Sequence, residues 1–126
     1  MIYKTTTKTL IDKVKEELPD KAKTFGFGIL GSYDFQQILK KKGYDLKTQI
    51  TVYELCNPPA AFQALTTINE ISVFLPCRLS IYKENEETVL ATIGIENILE
   101  AVQADEVLKK HMNEIFSNLR SLMSSF

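Results

Sequence analysis

The chain has 126 residues, enough for one compact domain that buries a core without disulfide or metal staples. Apolar residues make up 44% and charged residues 25%, the balance of a soluble globular protein. Fifteen basic against sixteen acidic residues leave a formal net charge of −1, which argues against a broad nucleic-acid footprint, and no apolar run approaches the ~20 residues of a membrane span.

Ile2 to Thr7 alternates apolar or aromatic residues with Lys and Thr and predicts a first strand. Leu10, Ile11, Val14 and Leu18 then recur at helical spacing. Pro19 has no N–H to donate and is expected to end or kink that helix. Gly26-Phe27-Gly28-Ile29-Leu30-Gly31 predicts a second strand, its glycines marking a bulge or a close backbone approach. The same glycines fit a GxGxxG spacing. A dinucleotide site needs strand, tight turn and helix in that order. Here Phe25, Phe27, Ile29 and Leu30 run through the glycines, so the segment reads as a strand.

Asp34-Phe35-Gln36-Gln37 has capping-box spacing for a helix start, and Gly43 suits a left-handed end. Lys40-Lys41-Lys42 falls in its last turn, where cations complement the helix dipole. Gln49 to Leu55 predicts a third strand. Asn57-Pro58 starts the next helix: Asn caps, and Pro tolerates the first helical position. Ala61, Leu65 and Ile68 form one face of it. Ile71 to Tyr82 predicts a long strand, paired with Thr88 to Ile95 across the polar loop Glu84-Asn85-Glu86-Glu87. From Asn97 onward a helix is predicted, with Leu108, Met112, Ile115, Leu119, Leu122 and Phe126 three or four apart. This order predicts an α+β domain spanning residues 1–126. It has one mostly antiparallel sheet, helices packed on one face and a long C-terminal helix.

Cys56-Asn57-Pro58-Pro59-Ala60 and Leu75-Pro76-Cys77-Arg78 hold both cysteines and three of the four prolines, and are the best candidates for chemistry. In an unbroken strand Ile71, Val73, Leu75, Cys77, Leu79 and Ile81 line the core face, which makes Cys77 a small buried hydrophobe. The other parity holds Ser72, Phe74, Pro76, Arg78, Ser80 and Tyr82, with Thr51, Tyr53 and Leu55 offered by the neighbouring strand. That mixture of aromatics, hydroxyls and one arginine suits a ligand pocket or a subunit interface. Cys56 precedes the helix that Asn57 caps. A thiol ionises more readily there, and free N–H groups hold a carboxylate or phosphate. Arg78 adds charge if it points to the same place.

Plainer readings stand beside these. Asn57-Pro58 is also simply a well-built helix start, and most cysteines are inert. Glu54 shares strand parity with Cys56 and reads first as a solvent-exposed side chain, with base or metal ligand as the alternative. A Cys56–Cys77 disulfide depends on a Cβ approach of about 4 Å, which spacing leaves open. With no CxxC pair and only His111 as an imidazole, no metal site is predicted. His111 reads as a surface or boundary residue. There is no Ser-His-Asp order, HExxH or Walker loop.

The chain resembles the domain of unknown function 302 family along nearly its whole length. The resemblance rests on Gly26-Phe27-Gly28-Ile29-Leu30, Asp34-Phe35, and Lys40-Lys41-Lys42-Gly43. It also rests on Leu55-Cys56-Asn57-Pro58 with Ala60-Ala61, and on Leu75-Pro76-Cys77-Arg78-Leu79-Ser80-Ile81-Tyr82. The Cys-Asn-Pro and Leu-Pro-Cys pair, in that order, is the specific part. The resemblance implies a TATA-binding-protein-like α+β fold and assigns no activity.

Three functions fit the sequence. The first is a non-enzymatic small-ligand or sensor module, homodimeric, with ligand near Cys56, Asn57, Cys77 and Arg78. The helix start would take an anionic group, and Tyr53, Phe74 and Tyr82 would supply apolar contact. The second is a thiol redox protein or enzyme using Cys56, with Cys77 as resolving thiol. The third is a structural homodimeric interaction domain. The expected partners are a small-molecule or anionic ligand and a second copy of the chain, with no nucleic acid and no membrane. The cofactor is unknown. The N-terminus, Met1-Ile2-Tyr3-Lys4-Thr5, has no signal-peptide core, so a cytoplasmic location with reduced thiols is expected.

Overall fold

Segments with alternating side chains build one five-stranded sheet: β1 (Ile2–Thr7), β2 (Gly28–Asp34), β3 (Ile50–Cys56), β4 (Cys77–Glu84) and β5 (Glu87–Ile93). Each pairing is antiparallel, and the spatial order is β1-β5-β4-β3-β2. This is the α+β class expected. The structure is a computed structural model that describes all residues from Met1 to Phe126.

Register decides which side chains share a face. Leu55 pairs with Cys77, Tyr53 with Leu79 and Thr51 with Ile81, and Ile81 pairs in turn with Leu90. Apart from half-buried Cys77, these residues are buried against the helices. α1 (Ile11–Thr24) contributes Ile11, Val14, Leu18 and Ala22 to the same core. α5 (Glu106–Met123) contributes Leu108, Met112, Phe116, Leu119, Leu122 and Met123. Each fully buried large side chain of this kind stabilises the fold by about 1.5–3 kcal/mol. No helix is long and apolar enough to cross a membrane.

Pro19 does not end α1. Its ring is exposed, and the buried stripe from Leu18 to Ala22 carries the helix past it. The missing hydrogen bond therefore falls on the solvent side of the helix. α2 (Phe35–Lys41) starts as expected: the Asp34 carboxylate accepts the Gln37 N–H at 3.2 Å. It ends in a Schellman motif at Gly43, whose φ is +91°, with Gly43 N–H donating to Lys40 and Tyr44 N–H to Leu39. α2 buries no residue.

Three expectations are corrected. Ile71 to Tyr82 is not one strand: Asn69–Phe74 is a 3-10 turn, the Leu75–Pro76 bond is cis, and β4 begins at Cys77. Pro76 cannot donate to a sheet ladder, so pairing starts only after it. The C-terminal segment is two helices, α4 (Ile95–Ala101) and α5, not one. Between them Gln103 adopts φ 51°, and Asp105 restarts the helix by accepting the Leu108 N–H at 2.8 Å. The β4–β5 connection is tighter than a four-residue loop. Glu84 pairs with Glu87, leaving only Asn85 and Glu86, both at positive φ, in the turn.

The chain ends against its own beginning. Thr5 Oγ1 donates to the Met123 carbonyl at 3.1 Å and Thr7 Oγ1 to that of Phe126 at 3.0 Å. The Lys21 ammonium donates to the Ser125 carbonyl and lies 4.4 Å from the centre of the Phe126 ring.

Candidate functional site

Cys56 closes β3 and Cys77 opens β4. Because Leu55 pairs with Cys77, the two cysteines are diagonal neighbours on adjacent strands. Both are free thiols. Together they line a cavity of about 310 Å³ between the end of the sheet, α3 (Pro58–Thr67), the Leu75–Pro76 segment and α5. Phe27 and Leu55 meet it from the sheet side, Ala60, Ala61, Ala64 and Leu65 from α3, and Met112 and Ile115 from α5. None of its fifteen lining residues is charged. Asn57 and Ser72 bring the amide and the hydroxyl.

Asn57 organises one wall. Its Oδ1 accepts the Ala60 N–H at 3.0 Å and so caps α3. Its Nδ2 packs close to Gly26: a Cβ there would stand 3.1 Å from it, a crowded contact, and Gly26 has φ +89°. The first glycine of the Gly26-Phe27-Gly28 run thus makes room for an amide from the next motif. The second is not confined in this way, since a Cβ on Gly28 would meet only the Cys56 carbonyl, at 4.0 Å. The bulge expected among these glycines lies between Ile29 and Gly31 and leaves Leu30 at the cavity.

The start of α3 offers no anion cradle. Pro58 and Pro59 have no N–H, Ala60 donates to Asn57 Oδ1, and Ala61 donates to the Asn57 carbonyl at 2.9 Å. All the first-turn donors are absent or used, which removes the basis for a carboxylate or phosphate site there. Burial pushes the Cys77 thiol up to about 11, with the neighbouring Cys56 charge adding to the effect. At neutral pH Cys77 is therefore a protonated, half-buried side chain packed against the core.

The remaining expected site residues are dispersed. Thr51, Tyr53 and Leu55 share a face with Cys77, Leu79 and Ile81, not with Arg78 and Tyr82, because the β3–β4 register sets Glu54 opposite Arg78 and Ile50 opposite Tyr82. Tyr53 is buried in the core, and burial, then the Asp34 charge, raises its pKa. Arg78 is largely exposed and stands 3.9 Å from Glu54. Glu54 is not the solvated side chain expected: it is 16% exposed and accepts the Tyr33 hydroxyl at 2.9 Å. That hydrogen bond, with the carboxylate charge, raises the Tyr33 pKa. Phe74 ends the 3-10 turn and borders, with Cys77 and Arg78, a second hollow of about 350 Å³ beyond Pro76. Tyr82 borders neither space.

Of the seven expected residues, the first cavity thus joins Cys56, Asn57 and Cys77 and leaves out Tyr53, Phe74, Arg78 and Tyr82. Among the residues it adds are Leu30, Ala64, Leu65 and Met112, and these four lie outside the two cysteine segments. The amphipathic stripe marked Met112 as inward-facing, but not what it would face. No group of three or more His, Cys, Asp or Glu side chains is placed to hold a metal ion.

Comparison with known proteins agrees with this frame. The crystal structure of an uncharacterized conserved protein DUF302 from Bacillus stearothermophilus superposes with a TM-score of 0.89 at 28% identity, over 97% of this chain and 94% of that one. No curated protein matches the chain. The family described as Domain of unknown function DUF302 matches residues 3–126, which include both cysteine segments and every wall of the cavity, and the chain belongs to that family.

Proposed function

We propose that the chain is a binding domain for a small, uncharged, largely apolar molecule held between α3, α5 and the two cysteine segments. The observation that carries this reading is the cavity itself: about 310 Å³, lined by apolar groups and thiols with no charged side chain. That volume is at the lower end of small-molecule pockets. A buried anionic ligand would lose its hydration there without gaining a counter-charge or a free backbone N–H. Asn57 holds α3 through its Oδ1, so its Nδ2 is the group left to donate to a carbonyl or ether on the ligand. Cys56 and Cys77 supply soft, polarisable contact. The thiol-exchange alternative has less support, because a protonated Cys77 is a poor attacking or resolving thiol.

Nile red, a neutral dye, tests the reading in fluorescence titrations alongside native mass spectrometry of the freshly purified chain. Wild type is expected to bind one dye molecule. Ala61→Leu fills the cavity from the α3 wall and is expected to weaken binding by about tenfold or more, the order of one lost apolar contact set. Unchanged affinity in a folded Ala61→Leu chain, or no binding by wild type, would overturn it.

A further inference from the structure

We propose that this cavity also binds a soft monovalent metal cation, copper(I) or silver(I), through the sulfur atoms of Cys56 and Cys77, with Met112 as third donor. The chain has two cysteines and three methionines, and three of these five sulfur residues line this one space. Thiolate and thioether select copper(I) over harder ions, and the lining has no Asp, Glu or His to attract calcium, magnesium or a four-coordinate zinc.

The backbone holds the donors on rigid elements. Cys56 ends β3 and Cys77 opens β4, one residue out of register, and both border the space at the sheet's end, while Met112 sits on the buried face of an eighteen-residue helix. Binding releases one proton from each thiol to water, so two thiolates and one cation leave a single negative charge at the site. Asn57 and Ser72 both line the cavity, and an amide N–H and a hydroxyl from them would offset that charge by donating to the sulfurs. The proposal goes beyond the apolar-ligand reading. The metal depends on the sulfurs, the ligand on the apolar walls, and the two succeed or fail separately.

The test is an anaerobic titration of the full chain with copper(I) in competition with bicinchoninate, followed by X-ray absorption at the copper edge. Wild type is expected to withdraw one equivalent of copper and show only sulfur neighbours. Cys56→Ser and Cys77→Ser, each checked for folding by circular dichroism, are expected to weaken binding by more than about 100-fold. Met112→Leu should weaken it by about tenfold, the scale of losing a lesser determinant. Wild type that leaves all copper with the chelator overturns the proposal. So do folded serine variants that bind as wild type does, or a nitrogen-dominated copper shell. If the serine variants unfold, Cys56→Ala and the absorption spectrum of wild type decide on the same criteria. Copper uptake without Nile red binding retires the ligand reading alone, and the reverse result retires this one alone.

Discussion

Gly26 and Asn57 are far apart in sequence, yet a Cβ on the first would crowd the amide with which the second caps α3. Replacing Gly26 with alanine measures that coupling. Gly26 has φ +89°, and a left-handed conformation costs a residue with a Cβ about 1–2 kcal/mol. Reduced freedom of the unfolded chain returns about 0.5–1 kcal/mol. The new Cβ would stand 3.1 Å from Asn57 Nδ2, so the amide must move, and it is the same amide whose Oδ1 holds the Ala60 N–H at 3.0 Å. Losing that cap costs about 1 kcal/mol. The expected net loss is about 2 kcal/mol, a fall in Tm of about 7 °C for a domain of this size. Urea unfolding of Gly26→Ala, Asn57→Ala and the double variant is the assay. In the Asn57→Ala background the cap is already gone, so alanine at position 26 should cost only the backbone part, about 1 kcal/mol. An equal cost in both backgrounds would refute the coupling, and no cost in either would refute the strain.

Three further outcomes are expected. Glu86 sits at φ 66° in the two-residue β4–β5 turn, so Glu86→Gly should raise stability by about 1 kcal/mol in urea unfolding, and a loss would contradict the turn geometry. Thr51 is 3% exposed and its hydroxyl has no partner, so Thr51→Val should gain about 1 kcal/mol, whereas a destabilised variant would mean the hydroxyl is satisfied. The Cys77 thiol rises from 9.0 to about 11 on folding, so between those values the unfolded chain has released a proton that the folded chain keeps. Stability therefore falls as pH rises through that window, by at most about 3 kcal/mol from this group. Cys77→Ala should show a shallower decline from pH 9 to 11, and parallel curves for the two proteins would refute the burial of the thiol.

The parts of this fold that were legible are those with local causes. The alternation of Ile2 to Thr7, the α1 stripe, the Asp34 and Asn57 caps and the left-handed Gly43 each depend on a few neighbouring residues, and each stands where its signal lies. The misread parts had local signals that a competing constraint overrode. Ile71, Val73 and Leu75 share strand parity, but 3-10 spacing buries Ile71 and leaves Val73 79% exposed, and Pro76 keeps the segment out of the ladder. Ile95, Ile98 and Val102 keep helical spacing up to the turn at Gln103, so two helices read as one.

By itself the sequence determined the class of the fold, the two cysteine segments as the place to look, and Asn57 as a cap. Tertiary structure decided what those segments share. Register sent Tyr53 into the core and set Arg78 beside Glu54, and two prolines with one amide used up the donors of the α3 start. Only the packing of α3 and α5 over the sheet end enclosed Cys56, Cys77 and Met112 in one space. The physical reason is range. Caps and periodicity are written in adjacent residues, whereas a cavity is the gap left among side chains that chain folding brings together from four separate segments.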